Sequence, residues 1–93
     1  MDVFDALAHP VRRDVLRLLR GGPMSAGELA ARFDVSKPTM SRHFATLKQA
    51  GLIQAEKTGQ SIRYRLNTSV ADEAVALVLG LLGPRNSKGS AEE

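Results

Sequence analysis

The chain has 93 residues, with 13 Lys or Arg against 10 Asp or Glu, a formal net charge of +3 and no cysteine. A monomer of this size buries only about 60–65% of its unfolded surface, which predicts one small domain with a marginal core and a use for a partner. The missing thiols exclude a disulfide framework, a thiolate metal centre and a cysteine nucleophile; with no signal-peptide core in MDVFDALAHP and no apolar run of ~20 residues, a soluble cytoplasmic protein is expected.

The first predicted element is a short helix over 3–8 with Val3, Phe4 and Leu7 on one side. His9 precedes Pro10 and is therefore expected outside the helical region. A second helix starts at Pro10 and runs to about Arg20, its apolar side made by Val11, Val15, Leu16, Leu18 and Leu19, until Gly21-Gly22-Pro23 ends it. Ser25 with Glu28 three residues on matches a capping box and opens a third helix through Leu29, Ala30 and Phe33. Asp34 and Val35 leave room only for a tight turn.

The stretch 36–50, SKPTMSRHFATLKQA, reads as an amphipathic helix with Ser36 as N-cap, Pro38 in the first turn, Lys48 in the last and Gly51 just beyond. Met40, Phe44 and Leu47 form a stripe that must dock on a core. Pro38, Thr39, Arg42, Thr46 and Gln49 lie on the opposite face, flanked by Lys37, Ser41, His43 and Lys48. That face is rich in donors and free of acid, the chemistry that reads base edges and phosphates in a major groove; a plain solvated face would look similar. Two short helices joined by a few residues, the second carrying such a face, make a helix-turn-helix.

Beyond Gly51 the period changes to two. Residues 52–57 and 61–66 alternate as strands around a turn at Thr58-Gly59-Gln60, with Ile62, Tyr64 and Leu66 on one face and Ser61, Arg63 and Arg65 on the other. A basic hairpin directly after a recognition helix is a wing. Asn67, Thr68 and Ser69 offer caps for a last helix over 70–82, where AVALVLGLL is apolar nearly all round. A helix of ~20 Å without a polar face needs burial against its own core and against another chain. Gly83-Pro84 stops it, and 84–93 reads as a disordered tail.

The charge is unevenly placed. Between 36 and 66 six basic residues stand against the single acid Glu56, a local charge of +5, while the remainder sums to −2. This is the footprint of a polyanion site. Lys37, Thr39, Ser41, Arg42 and Thr46 are the candidate groove contacts, and Lys57, Gln60 and Arg63 in the wing at 57–63, with Arg65 less central, are candidates for phosphate or minor-groove contact. His43 either touches phosphate or packs inward. His9 could ligate a metal, but a lone histidine before proline is more often a turn residue. Arg12 and Arg13, early in a helix where cations oppose the dipole, are candidates for phosphate contact or for pairing with Asp5 or Asp14.

The order α-α-α-α-β-β-α, with ALAHPVRRDVLRLL at 6–19, MSAGELAARFDVSKPTMSRHFATLKQAGLI at 24–53 and GQSIRYRLN at 59–67, resembles the ArsR family of winged-helix repressors, and most of all its SdpR-type autorepressor subgroup. The resemblance implies a mainly helical winged helix-turn-helix fold with a small β-hairpin, a single DNA-binding and dimerisation domain over 1–83, and repression at a palindromic operator. It implies a homodimer through the first and last helices, with Val3, Phe4, Leu7, Val70, Ala74, Leu77, Val78 and Leu81 at the interface. Metal-sensing members carry a Cys-x-Cys cluster or His and carboxylate ligands that this chain lacks, so no metal and no cofactor is expected. The competing readings are a sensor with a small-molecule or metal inducer at the dimer interface, and a module whose apolar last helix docks a different protein. No paired carboxylates, nucleophile with base or phosphate-cradling glycine loop points to an enzyme.

Overall fold

Proline and glycine punctuation divides the chain into five helices and three strands in this computed structural model, which describes residues 2–83. Helix α1 (Val3–Leu7) is capped by Asp2, whose carboxylate accepts from the Phe4 N–H at 2.8 Å, and it buries Ala6. His9 is extended (φ −103°, ψ 132°) as the following proline requires, and its Nδ1 accepts from the Val11 N–H at 3.1 Å. It is thereby the N-cap of α2 (Pro10–Leu19), which sends Val15 and Leu19 into the core.

Strand β1 (Met24–Ser25) leads into α3 (Ala26–Ala30) through the expected capping box: Ser25 Oγ accepts from the Glu28 N–H and the Glu28 carboxylate accepts from the Ser25 N–H. Helix α3 ends before Phe33, because tight turns (Arg32 N to Leu29 O, 3.0 Å; Phe33 N to Ala30 O, 3.2 Å) close its carboxyl end. Helix α4 (Lys37–Gln49) follows, with Ser36 as its N-cap. Gly51, at φ +80°, lets the Leu52 N–H reach back to Leu47 O at 3.0 Å and terminates the helix.

Strands β2 (Ile53–Thr58) and β3 (Ser61–Leu66) pair antiparallel from Ile53↔Leu66 to Thr58↔Ser61 around a two-residue turn in which Gly59 takes φ +60°. Thr58 belongs to the strand, not to the turn. The two-stranded hairpin expected from the sequence is a three-stranded sheet of order β1-β3-β2, because Met24 and Ser25 pair with Tyr64 and Arg63. Ser25 is thus a sheet residue and the cap of α3 at once.

Helix α5 (Thr68–Leu82) begins at Thr68, earlier than the expected Val70. None of its residues is buried. Val15, Leu29, Met40, Leu47 and Ile53 form the centre of the core, which the inner faces of α2, α3, α4 and the sheet enclose. Among the described residues no helix is long and apolar enough to cross a membrane. The tail expected at 84–93 lies outside the described residues.

Candidate nucleic-acid interface

Met40, Phe44 and Leu47 anchor α4 in the core at 1%, 5% and 0% exposure, and this fixes which side of the helix faces outward. Lys37, Ser41 and Arg42 are exposed on that side, while Thr39 and Thr46 are half-buried along its edges. Thr39 is also engaged in the cap: its Oγ1 accepts from Ser36 Oγ at 2.9 Å, and its N–H is bonded to Ser36 Oγ at 3.3 Å. With its flanks the face presents three cations (Lys37, Arg42 and Lys48), several hydroxyls and no carboxylate.

His43, a candidate either for DNA contact or for inward packing, takes the inward place: only 7% of it is exposed. Its Nδ1 lies 3.2 Å from an Arg12 Nη, and its ring centroid is 4.5 Å from that of His9. Burial, with the neighbouring His9 and Arg12 charges adding to it, holds its pKa below the ordinary imidazole range. The spacing Met40, His43, Phe44, Leu47 is i, i+3, i+4, i+7, so the inward position of His43 is carried by helical period alone.

Arg12 and Arg13 pair with neither Asp5 nor Asp14 through a carboxylate. Arg12 donates to the Ala6 carbonyl at 2.8 Å and the Asp5 carbonyl at 3.0 Å, and Arg13 donates to the Leu7 carbonyl at 2.9 Å. The cations oppose the dipole of their own helix but serve the carboxyl end of α1, where orphan carbonyls favour positive charge. Asp14 pairs instead with Arg17.

In the wing, Lys57, Gln60 and Arg63 are all exposed. Lys57 stands opposite Ile62 and Arg63 opposite Glu56, so by strand alternation the two cations project from opposite faces of the ribbon. Arg65 is tied across the strands to Gln54 (Nε to Oε1, 3.2 Å). Tyr64 on the inner face packs against Phe44 with ring centroids 4.8 Å apart, which joins the base of the wing to α4. Burial pushes the Tyr64 hydroxyl pKa up.

On α1 and α5, Phe4 is 40% exposed, and Leu77, Val78 and Leu81 are 49%, 37% and 71% exposed, while Val3, Leu7, Val70 and Ala74 are half-buried. Val75, Leu79 and Leu82, of the same apolar run but outside the expected interface set, are as open as their neighbours. An apolar cleft of about 300 Å³ runs between α1, α2 and α5, lined by Phe4, Leu7, Leu16, Val75, Val78 and Leu79 among others. Among the described residues no group of three His, Asp or Glu side chains lies close enough to hold a metal ion.

A helix-turn-helix with a cationic outward face, a hairpin wing beside it and a last helix left open define a winged-helix DNA-binding protein. The helix-turn-helix domain family matches residues 7–54. The chain is 43% identical over 81 residues to the transcriptional repressor SdpR of Bacillus subtilis (strain 168), covering 87% of this chain and 90% of that protein. A crystal structure described as a possible transcriptional regulator for arsenical resistance superposes with a TM-score of 0.81 at 32% identity, covering 87% of this chain and 84% of the other. The crystal structure of an ArsR family transcriptional regulator does so with a TM-score of 0.71 at 31% identity, covering 89% of each chain. The chain belongs to the ArsR family of winged-helix transcriptional regulators, and its partner is DNA.

Proposed function

We propose that this regulator is an operator-binding repressor of its own transcription, working as a homodimer. The observation that carries the reading is the outward face of α4, where Lys37, Ser41 and Arg42 stand exposed with Thr39 and Thr46 at the edges and no acid among them. In this reading α4 lies in a major groove, with Arg42 reading a base edge and Lys37 on phosphate. The wing residues Lys57, Gln60 and Arg63 hold the flanking backbone or minor groove. The open faces of α1 and α5 meet a second copy, covering Phe4, Leu77, Val78 and Leu81 together with Val3, Leu7, Val70 and Ala74 at their base. The two-fold axis then sets the recognition helices about one helical turn, ~34 Å, apart on an inverted repeat. Repression follows from occupancy of the promoter.

The reading is supported by the repressor among its relatives and by the unfinished apolar face of α5. The test is fluorescence anisotropy on a duplex from the chain's own upstream region against a scrambled duplex, at two salt concentrations. Tighter binding to the native duplex by two chains is expected, with affinity falling on the order of 10³–10⁵-fold between 50 and 200 mM salt for six to ten neutralised phosphates. Equal weak binding to both duplexes overturns the autorepressor reading.

A further inference from the structure

We infer that Arg12 and His43 are positioning residues that fix the recognition helix against the amino-terminal helix, and that they do so only while the His43 imidazole is neutral. The inference rests on the reading of α4 as the DNA-recognition helix and of α1 as part of the dimer contact. Arg12 is half-buried in the first turn of α2, and its guanidinium is shared between two other helices. Nε donates to Ala6 O at 2.8 Å and one Nη to Asp5 O at 3.0 Å, both at the carboxyl end of α1. The other Nη lies 3.2 Å from Nδ1 of His43, on the inner side of α4. A guanidinium has only donors, so Nδ1 must accept, which places the single ring proton on Nε2.

Among the described residues, the groups facing His43 give a second proton no partner. From α2 and its cap they are Arg12 and His9, the latter 4.5 Å away between ring centroids with its own Nδ1 engaged by the Val11 N–H at 3.1 Å. The α1 carbonyls of Asp5 and Ala6 are bonded to Arg12, and the other buried residues of α4 are the apolar Met40, Phe44 and Leu47. Protonated His43 turns its acceptor into a donor aimed at a cation. The bond to Arg12 is then lost, and the connection from α1 through Arg12 to α4 opens.

Burial and the same two neighbours keep the pKa of folded His43 below the ordinary imidazole value. The unfolded chain therefore takes the proton at higher pH than the folded one. The stability contributed by neutral His43 is complete above about pH 6.5 and is lost as the pH falls through the lowered folded value. Register on a palindrome depends on how α4 sits relative to the dimer axis, whereas attraction to random phosphate does not. The consequence is a selective loss of operator preference in acid.

The test measures the ratio of operator to scrambled-duplex affinity from about pH 8 to about pH 5, with histidine and amide NMR titration of the DNA-free protein alongside. The wild-type ratio is expected to fall about tenfold across the range, in step with His43 protonation. In His43→Gln, which still offers Arg12 an acceptor but does not titrate, the ratio stays flat with pH. In His9→Asn, which keeps a capping side chain, the fall persists. Arg12→Lys retains the charge but not the three-way fork, and lowers the ratio across the whole range. A parallel fall in wild type and His43→Gln, loss of the fall in His9→Asn, or an unchanged ratio in Arg12→Lys overturns the inference. So does an absence of Leu7 and Ala8 amide shifts at the His43 midpoint. If those amides follow His43 while no duplex is preferred even near pH 8, the link stands and the DNA-recognition reading is what fails.

Discussion

Helices α4 and α5 are of similar length, 13 and 15 residues, yet α4 buries Met40, His43, Phe44 and Leu47 while α5 buries nothing. The first is completed by its own chain, and what remains exposed is a polar and cationic face. The second carries more apolar side chains but has Val75, Leu79 and Leu82 open to solvent at 56%, 58% and 81%. Hydrophobicity alone does not place a helix inside. What places it is how much apolar surface the neighbouring elements have left to offer, and here only the start of α5, at Val70, packs against the core.

The contrast is broken most severely on α5. Replacing Leu77 and Leu81 together by Glu is expected to give a folded monomer by sedimentation equilibrium and to weaken operator binding by about 10²-fold or more, because the second half-site is no longer tethered. A dimer that survives both changes removes α5 from the interface. On α4, Arg42→Ala should cost about 10–100-fold on the operator and little on a scrambled duplex. In the wing, Lys57→Ala should weaken both duplexes alike and reduce the salt slope by about one. Equal losses on both duplexes for the two variants would abolish the division between reading and holding. The mildest change lies where the two helices meet: Gly51→Ala, strained at φ +80° and bringing a methyl to 3.4 Å from Val70 Cγ2, is expected to cost about 1 kcal/mol in thermal unfolding. Its dimerisation and DNA affinity well below the melting temperature should match wild type.

Much of α4 was legible in advance because its signals are local. Ser36 caps, Pro38 fits the first turn and Gly51 takes a positive φ, each for reasons confined to a few residues. The same holds for the Ser25 and Glu28 capping box and for the hairpin at Gly59. Strand β1 was not legible, since two residues carry no period and their partners Tyr64 and Arg63 lie far along the chain. The role of Arg12 escaped for a related reason: early in a helix a cation looks misplaced, and only the return of α1 and α4 to its side shows what it serves. His43 could not be decided from its polarity, which fits phosphate contact and inward packing equally; helical phase with Met40, Phe44 and Leu47 is the signal that settles it inward.

The double service of Ser25 binds two parts of the molecule into one opening unit. Its strand pairing holds the wing, while its hydroxyl and N–H hold the start of α3, so freeing either leaves the other without a neighbour. In native-state hydrogen exchange, the amides at the head of α3 and those of β3 near Arg63 would be released together as a single foldon. The wing is therefore no independent flap. It is fastened to the first helix of the helix-turn-helix, and the base of the hairpin takes the pose that this helix sets.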